Sequence, residues 1–108
     1  MSWPNDADGG VFQRLEADGF DFRQPHAIDF NVDFSSWPPA SDAVALLRST
    51  YGAVELFPPN GMGPGYAQFQ IHSLVSYELV TSVQRAATAA MASFGGICES
   101  WGLMHGAV

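Results

Sequence analysis

The chain has no lysine, a single cysteine, and no uninterrupted apolar run approaching the ~18 residues that suggest a membrane span. Its basic side chains, histidine aside, are 4 arginines set against 11 acids, for a formal net charge of -7 at pH 7. Nucleic-acid binding draws most of its affinity from cations that displace counterions from phosphate, so this deficit argues against direct contact with DNA or RNA. An anionic membrane surface is disfavoured for the same reason. With Cys98 alone, no intrachain disulfide forms, and such cysteine usage is that of a reducing compartment. The opening MSWPNDADGG has neither the basic region nor the apolar run of a secretion signal. The expectation is a soluble cytoplasmic protein of one domain, residues 1–108, with apolar residue types for a single modest core. The acidity is uneven. Residues 1–55 hold 9 acids and 3 arginines, net -6, and residues 56–108 hold 2 acids and 1 arginine, net -1, so electrostatic steering from the first half selects a cationic partner.

What is present divides into helical and extended patterns. A short helix is predicted from Asn5 or Asp6 to Gly19, with Asp6 and Asp8 in its first turn and Val11, Phe12 and Leu15 as its apolar stripe. In AIDFNVDF, Ile28, Phe30, Val32 and Phe34 alternate with Asp29, Asn31 and Asp33, which predicts a strand with one buried and one polar face. A helix follows over residues 41–51, capped by Ser41, facing the core with Val44, Leu47 and Tyr51, and stopped by Gly52. Residues 53–57 and 66–74 read as two strands joined by the Pro/Gly-rich loop PPNGMGPG. A long helix capped by Ser76 runs to about Phe94, with Leu79, Val83, Ala87, Ala90 and Phe94 at core spacing. Gly95 and Gly96 end it, and ICESW closes the chain as a strand whose Ile97 and Trp101 share a face.

After the first helix the order is strand, helix, strand, strand, helix, strand, which is that of a ferredoxin-like α+β sandwich with an added N-terminal helix: an antiparallel sheet with the helices on one face. RNA-recognition domains share this topology but place aromatics and basic groups on the open face. Here the apolar phase of the first strand holds Phe30 and Phe34, so covering that phase leaves Asp29, Asn31 and Asp33 outward. Such an acidic face repels RNA and suits a basic segment of another protein. An open sheet face or edge is also available to the first helix or to a second copy in a homodimer.

Residues of the types that carry chemistry have simpler readings here. Cys98 lies beside Glu99, with no basic residue nearby in sequence to favour a thiolate. His26, His72 and His105 lack the spacing of a helical or knuckle-type metal site. Asp29 and Asp33 share a strand face, but their Cα atoms stand about 13 Å apart at about 3.3 Å per residue, beyond the roughly 5–9.5 Å used by glycosidase carboxyl pairs. DADG lacks the later ligands of a calcium loop, and NGMGPG lacks the lysine of a phosphate loop. No catalytic residue, cofactor or metal is expected.

Taken in order, DADG at 6–9, LEADGFD at 15–21, IDFNVDF at 28–34, YGAVEL at 51–56 and GGICESWG at 95–102 give the chain a pattern that resembles the RraB-type regulators of ribonuclease E activity. The resemblance implies a ferredoxin-like sandwich and a protein that is not a nuclease. It implies inhibition of ribonuclease E by binding the enzyme itself, notably its scaffold region. Carried onto this sequence, Asp6, Asp8 and Gly9 mark the entrance of the first helix, and Gly96, Trp101 and Gly102 fix the last strand. The chain departs from the family in lacking lysine and a strongly acidic terminal region. A second reading is a small-ligand or effector-binding module, with Trp101, Phe57 and the 58–65 loop lining a pocket. A third is a small enzyme in which His72, Glu99 or Cys98 converge.

Overall fold

A computed structural model describes Pro4, residues 6–61 and residues 63–103. Asn5 and His105 lie outside the described residues, as does Met62 within the 58–65 loop. The elements follow in the order α1 (Ala7–Ala17), β1 (Pro25–Phe34), α2 (Ser41–Tyr51), β2 (Val54–Phe57), β3 (Tyr66–Leu74), α3 (Tyr77–Met91) and β4 (Gly96–Leu103), with a 3-10 turn over Ala92–Phe94. The strands form one antiparallel sheet in the order β2-β3-β1-β4.

Alternation in β1 decides the layering. Ile28, Phe30, Val32 and Phe34 are buried, while Asp29, Asn31 and Asp33 between them remain partly exposed. In β3, Ala67 and Phe69 pair with Val32 and Phe30 and join the same core. Ala43, Val44 and Leu47 of α2 are buried. So are Val80, Val83, Gln84, Ala87 and Met91 of α3, and Cys98 of β4 packs into the same cluster. One face of the sheet is therefore covered by helices, and among the described residues the other is open.

Local signals set most of the boundaries. Ser76 accepts a hydrogen bond from Leu79 N (3.1 Å) and caps α3, and Asp6 accepts one from Gly9 N (2.7 Å) and caps α1. Gly52 ends α2 with φ at 91°, a conformation that glycine adopts without strain. At the start of α2 the expected cap shifts by one residue: Ala40 is the N-cap, Ser41 opens the helix, and no side chain caps it.

Two expectations about facing are corrected. In α3, Val83 and Ala87 are buried and Leu79 and Phe94 pack against the core as expected, but Ala90 is exposed, and Val80 and Met91 complete the buried stripe instead. In β4, Asn31 pairs with Ser100 but Val32 pairs with Cys98, so Glu99 is the extra residue of a bulge. The bulge inverts the side-chain phase, sending Cys98 and Trp101 to the helix face and leaving Ile97 47 % exposed on the open one. Ile97 and Trp101 thus do not share a face. The strand also runs on past Gly102 to Leu103.

α3 steadies this edge. The Cys98 N–H donates to Thr88 Oγ1 (2.9 Å), and the Glu99 carbonyl accepts from Gln84 Nε2 (3.1 Å). Two backbone groups that an edge strand would otherwise offer to a passing strand are thereby occupied.

Candidate functional site

α1 decides whether the open face stays open. Its Phe12 is fully buried, with its ring 6.0 Å from that of Phe22, 6.1 Å from Tyr77 and 5.3 Å from Trp101. Trp101 pairs in register with buried Phe30, so this cluster lies on the helix side. Two further hydrogen bonds hold the helix there: Tyr77 donates its hydroxyl to Asp6 Oδ2, and Trp101 Nε1 donates to Asp8 Oδ1 (3.0 Å). The tyrosine hydroxyl, then the Gly9 N–H, hold the Asp6 carboxyl below its usual range. α1 accordingly leaves the sheet's polar face uncovered.

Register orders that face into rows. One row reads Phe57, Tyr66, Asp33, Ile97; the next reads Glu55, Gln68, Asn31, Ser100; the third reads Gln70, Asp29, Gly102. In the second row Gln68 Nε2 donates to Asn31 Oδ1 (3.0 Å), and Asn31 Nδ2 donates to Ser100 Oγ (3.1 Å). In the third, Gln70 Nε2 donates to Asp29 Oδ1 (2.7 Å). Asp33 makes no side-chain hydrogen bond among the described residues. Phe57 and Tyr66 stack beside it at 4.8 Å. Burial, and then the Glu99 carboxylate, push the Asp33 carboxyl above the ordinary aspartate range. Asp33, Ser35, Pro64, Ile97 and Glu99 line a shallow recess of about 230 Å³ at this end of the sheet.

The arginines lie elsewhere. Arg14 is in α1, Arg48 in α2 and Arg85 in α3, while Arg23 follows α1 and pairs with Asp21 (3.2 Å). Asp29, Asp33, Glu55 and Glu99 therefore give the open side a negative potential with no arginine among them.

The raised Asp33 pKa has a stability consequence of definite sign. A carboxyl whose folded pKa exceeds its unfolded value opposes folding when ionised, and the penalty disappears once the pH falls below 3.8, where both states are protonated. Asp33→Asn is therefore expected to melt higher than the wild type at pH 7, with the advantage vanishing below that pH. Thermal melts across the range test this; a lower melting temperature at pH 7 would mean that Asp33 makes a favourable contact.

The remaining expected site residues are dispersed. Burial, followed by the charge of Asp33, pushes the Cys98 thiol up to about 12, which suppresses the thiolate at neutral pH. His26 sits with its Nε2 3.1 Å from the Asp21 carbonyl and its ring 4.5 Å from that of Phe20. His72 is exposed, and pairs with Ala27, about 16 Å along β1 from the Val32 level of Cys98. His72 and Cys98 thus do not converge. Among the described residues no group of three or more His, Cys, Asp or Glu could hold a metal ion. Trp101 and Phe57 lie on opposite faces and on opposite edge strands, so they do not line a common pocket.

The expected motif positions have structural work at α1 and β4. Gly9 is buried, and a Cβ there would come within 1.8 Å of the Pro4 carbonyl oxygen; Asp6, Asp8 and Trp101 form the bonds described above. Gly96 admits no Cβ without displacing Met91, whereas Gly102 faces open space. Asp29, Asn31 and Asp33 lie on the open face as expected, as do Gln68 and Gln70 from the alternation of residues 66–74, whereas the glutamine hydrogen bonds across that face and the Phe57–Tyr66–Ile97 row were not anticipated. The alternating phase of residues 66–74 was the available signal for Tyr66, Gln68 and Gln70; Ile97 had none, because the bulge exists only in the pairing.

No helix among the described residues is long and apolar enough to cross a membrane. Neither a curated protein nor a solved structure gives a significant match. The family model described as regulator of ribonuclease activity B, RraB, matches residues 5–103, which is nearly the whole chain and includes α1, the sheet and the bulged last strand. That match shows that the chain belongs to the RraB family of regulators of ribonuclease activity.

Proposed function

We propose that the protein is a non-catalytic regulator that binds ribonuclease E, or a related RNA-decay component, and inhibits it by protein–protein contact. In this reading it acts in the cytoplasm as a single ferredoxin-like domain without a cofactor. Its docking surface is the open sheet face carrying Asp29, Asn31 and Asp33. The strand order β2-β3-β1-β4 after an added helix supports the ferredoxin-like assignment. The observation that carries the functional reading is the uncovered, arginine-free acidic face in a chain of the ribonuclease-regulator family. Such a face repels RNA and attracts basic protein segments.

Calorimetric titration with a basic scaffold fragment of ribonuclease E from the same organism tests the reading. Saturable binding of defined stoichiometry that weakens as salt is raised is expected, because exposed charge pairs are screened. Absence of binding at both low and raised salt would remove ribonuclease E as the partner.

A further inference from the structure

We propose that the recess between Asp33 and Glu99, together with the adjoining row of Phe57, Tyr66 and Ile97, is the recognition centre of the open face, and that its occupant is an arginine-bearing segment of the partner protein. This rests on the reading that a protein docks on this face, and it narrows that reading from the whole face to one end.

The rows differ in what they have left to offer. Asp29 and Asn31 already have partners in Gln70, Gln68 and Ser100, so a ligand there would have to replace existing hydrogen bonds. Asp33 has no such partner among the described residues. It stands between Tyr66 and Ile97 in register, where cross-strand Cβ atoms are about 4.5–5.5 Å apart. The Glu99 carboxylate, brought alongside by the bulge, adds a like charge that Asp33 does not neutralise. A cation entering the recess would relieve that repulsion, while Ile97 and the stacked Phe57 and Tyr66 offer apolar surface to the residues beside it. This places charged and apolar contacts together, as at the centre of a binding hot spot.

Charge selects the class of occupant. Nucleic acid and an anionic bilayer carry the wrong sign. A second copy docking about a two-fold axis that passes through this row would set the same acidic row against itself. Among basic side chains, a guanidinium fits better than an ammonium: it lies flat on an aromatic ring and donates in-plane hydrogen bonds to carboxylates.

Three proteins are compared in the titration with the scaffold fragment: wild type, Asp33→Asn/Glu99→Gln and Asp29→Asn. Proton–nitrogen NMR spectra of the wild type and of the double variant are also recorded with the peptide acetyl-Leu-Arg-Leu-Arg-amide and with its lysine counterpart. The expected result is roughly tenfold or greater weakening in the double variant and a clearly smaller loss in Asp29→Asn, which lies on the same docking face away from the recess. Fragment binding that is equal in wild type and double variant, or lost equally in Asp29→Asn, would overturn the recognition centre while leaving the protein-partner reading in place. Failure of the fragment to bind wild type would instead remove the named partner, and the peptide spectra then decide the surface. Shifts centred on Asp33, Tyr66, Ile97 and Glu99 that disappear in the double variant uphold it; no shifts, or shifts centred elsewhere, overturn it. Equal shifts from the lysine peptide would overturn the choice of arginine. The wild-type spectra map the site even if the double variant fails to fold.

Discussion

Phe12→Ala is expected to destabilise the protein by about 3–5 kcal/mol, the range for truncating a fully buried phenylalanine. For a domain of this size that corresponds to a fall of roughly 12 °C or more in Tm. The size of the effect follows from where Phe12 sits, fully buried among the rings of Phe22, Tyr77 and Trp101. The helix has 11 residues. That is below the ~12–15 at which isolated helices become even marginal in water. Gly9 and Gly10 each cost it about 1 kcal/mol relative to alanine. Its docking depends on Phe12 among Phe22, Tyr77 and Trp101, and on the hydrogen bonds that Asp6 and Asp8 accept from Tyr77 and Trp101. Because Trp101 belongs to β4 and Tyr77 to α3, the cavity left by Phe12 opens at the junction of three elements. Helix and sheet are therefore expected to unfold as one unit. Urea denaturation followed by far-ultraviolet circular dichroism and by tryptophan fluorescence tests this. A loss under about 1 kcal/mol, or two separate transitions, would show that α1 is an attachment to an independently stable sheet.

The contrast between what was and was not legible in the sequence follows from the range of the forces involved. β1 could be read because four apolar and three polar residues alternate without interruption, and only one face of such a strand can enter a core. The span of α2 could be read from the proline break before it and Gly52 after it. The facing of α3 could be read in part: Val83 and Ala87 are buried and Leu79 and Phe94 pack against the core, but Ala90 is exposed and Val80 and Met91 complete the stripe, because apolar residues occur on several sides of the helix and the sheet beneath decides which are covered. The facing of Ile97 is also non-local. It follows from Glu99 being accommodated as an extra residue opposite β1, and no pattern in GGICESWGL marks that position. For the candidate site, the acidic phase of β1 was visible, but the distinction between Asp29, already bonded, and Asp33, without such a bond, required Gln70 across the sheet.

Gly96 and Gly102 carry equal weight as motif glycines in the sequence, yet they are expected to respond very differently to alanine. A Cβ at Gly96 would sit 2.7 Å from Met91 Cβ and 3.0 Å from both Phe34 Cε1 and Val32 Cγ1. Met91 Cβ is fixed to the α3 backbone, and the other two atoms belong to buried β1 side chains, so no flexible tip can swing aside. Relief requires moving α3 off the sheet, and overpacking of that kind costs about 1–3 kcal/mol. At Gly102 a Cβ meets nothing within 4 Å, and the position faces the open side opposite Asp29. Gly102→Ala is accordingly expected to change stability by no more than about 0.5 kcal/mol. Denaturant midpoints of the two single variants, compared at equal m-values, separate the cases. A Gly96→Ala protein as stable as wild type would mean that α3 rides more loosely over β4 than its packing against Val32 and Phe34 requires. A Gly102→Ala loss as large as that at Gly96 would mean that the open face at the Asp29 row is covered, which would also remove it as a place for a partner to dock.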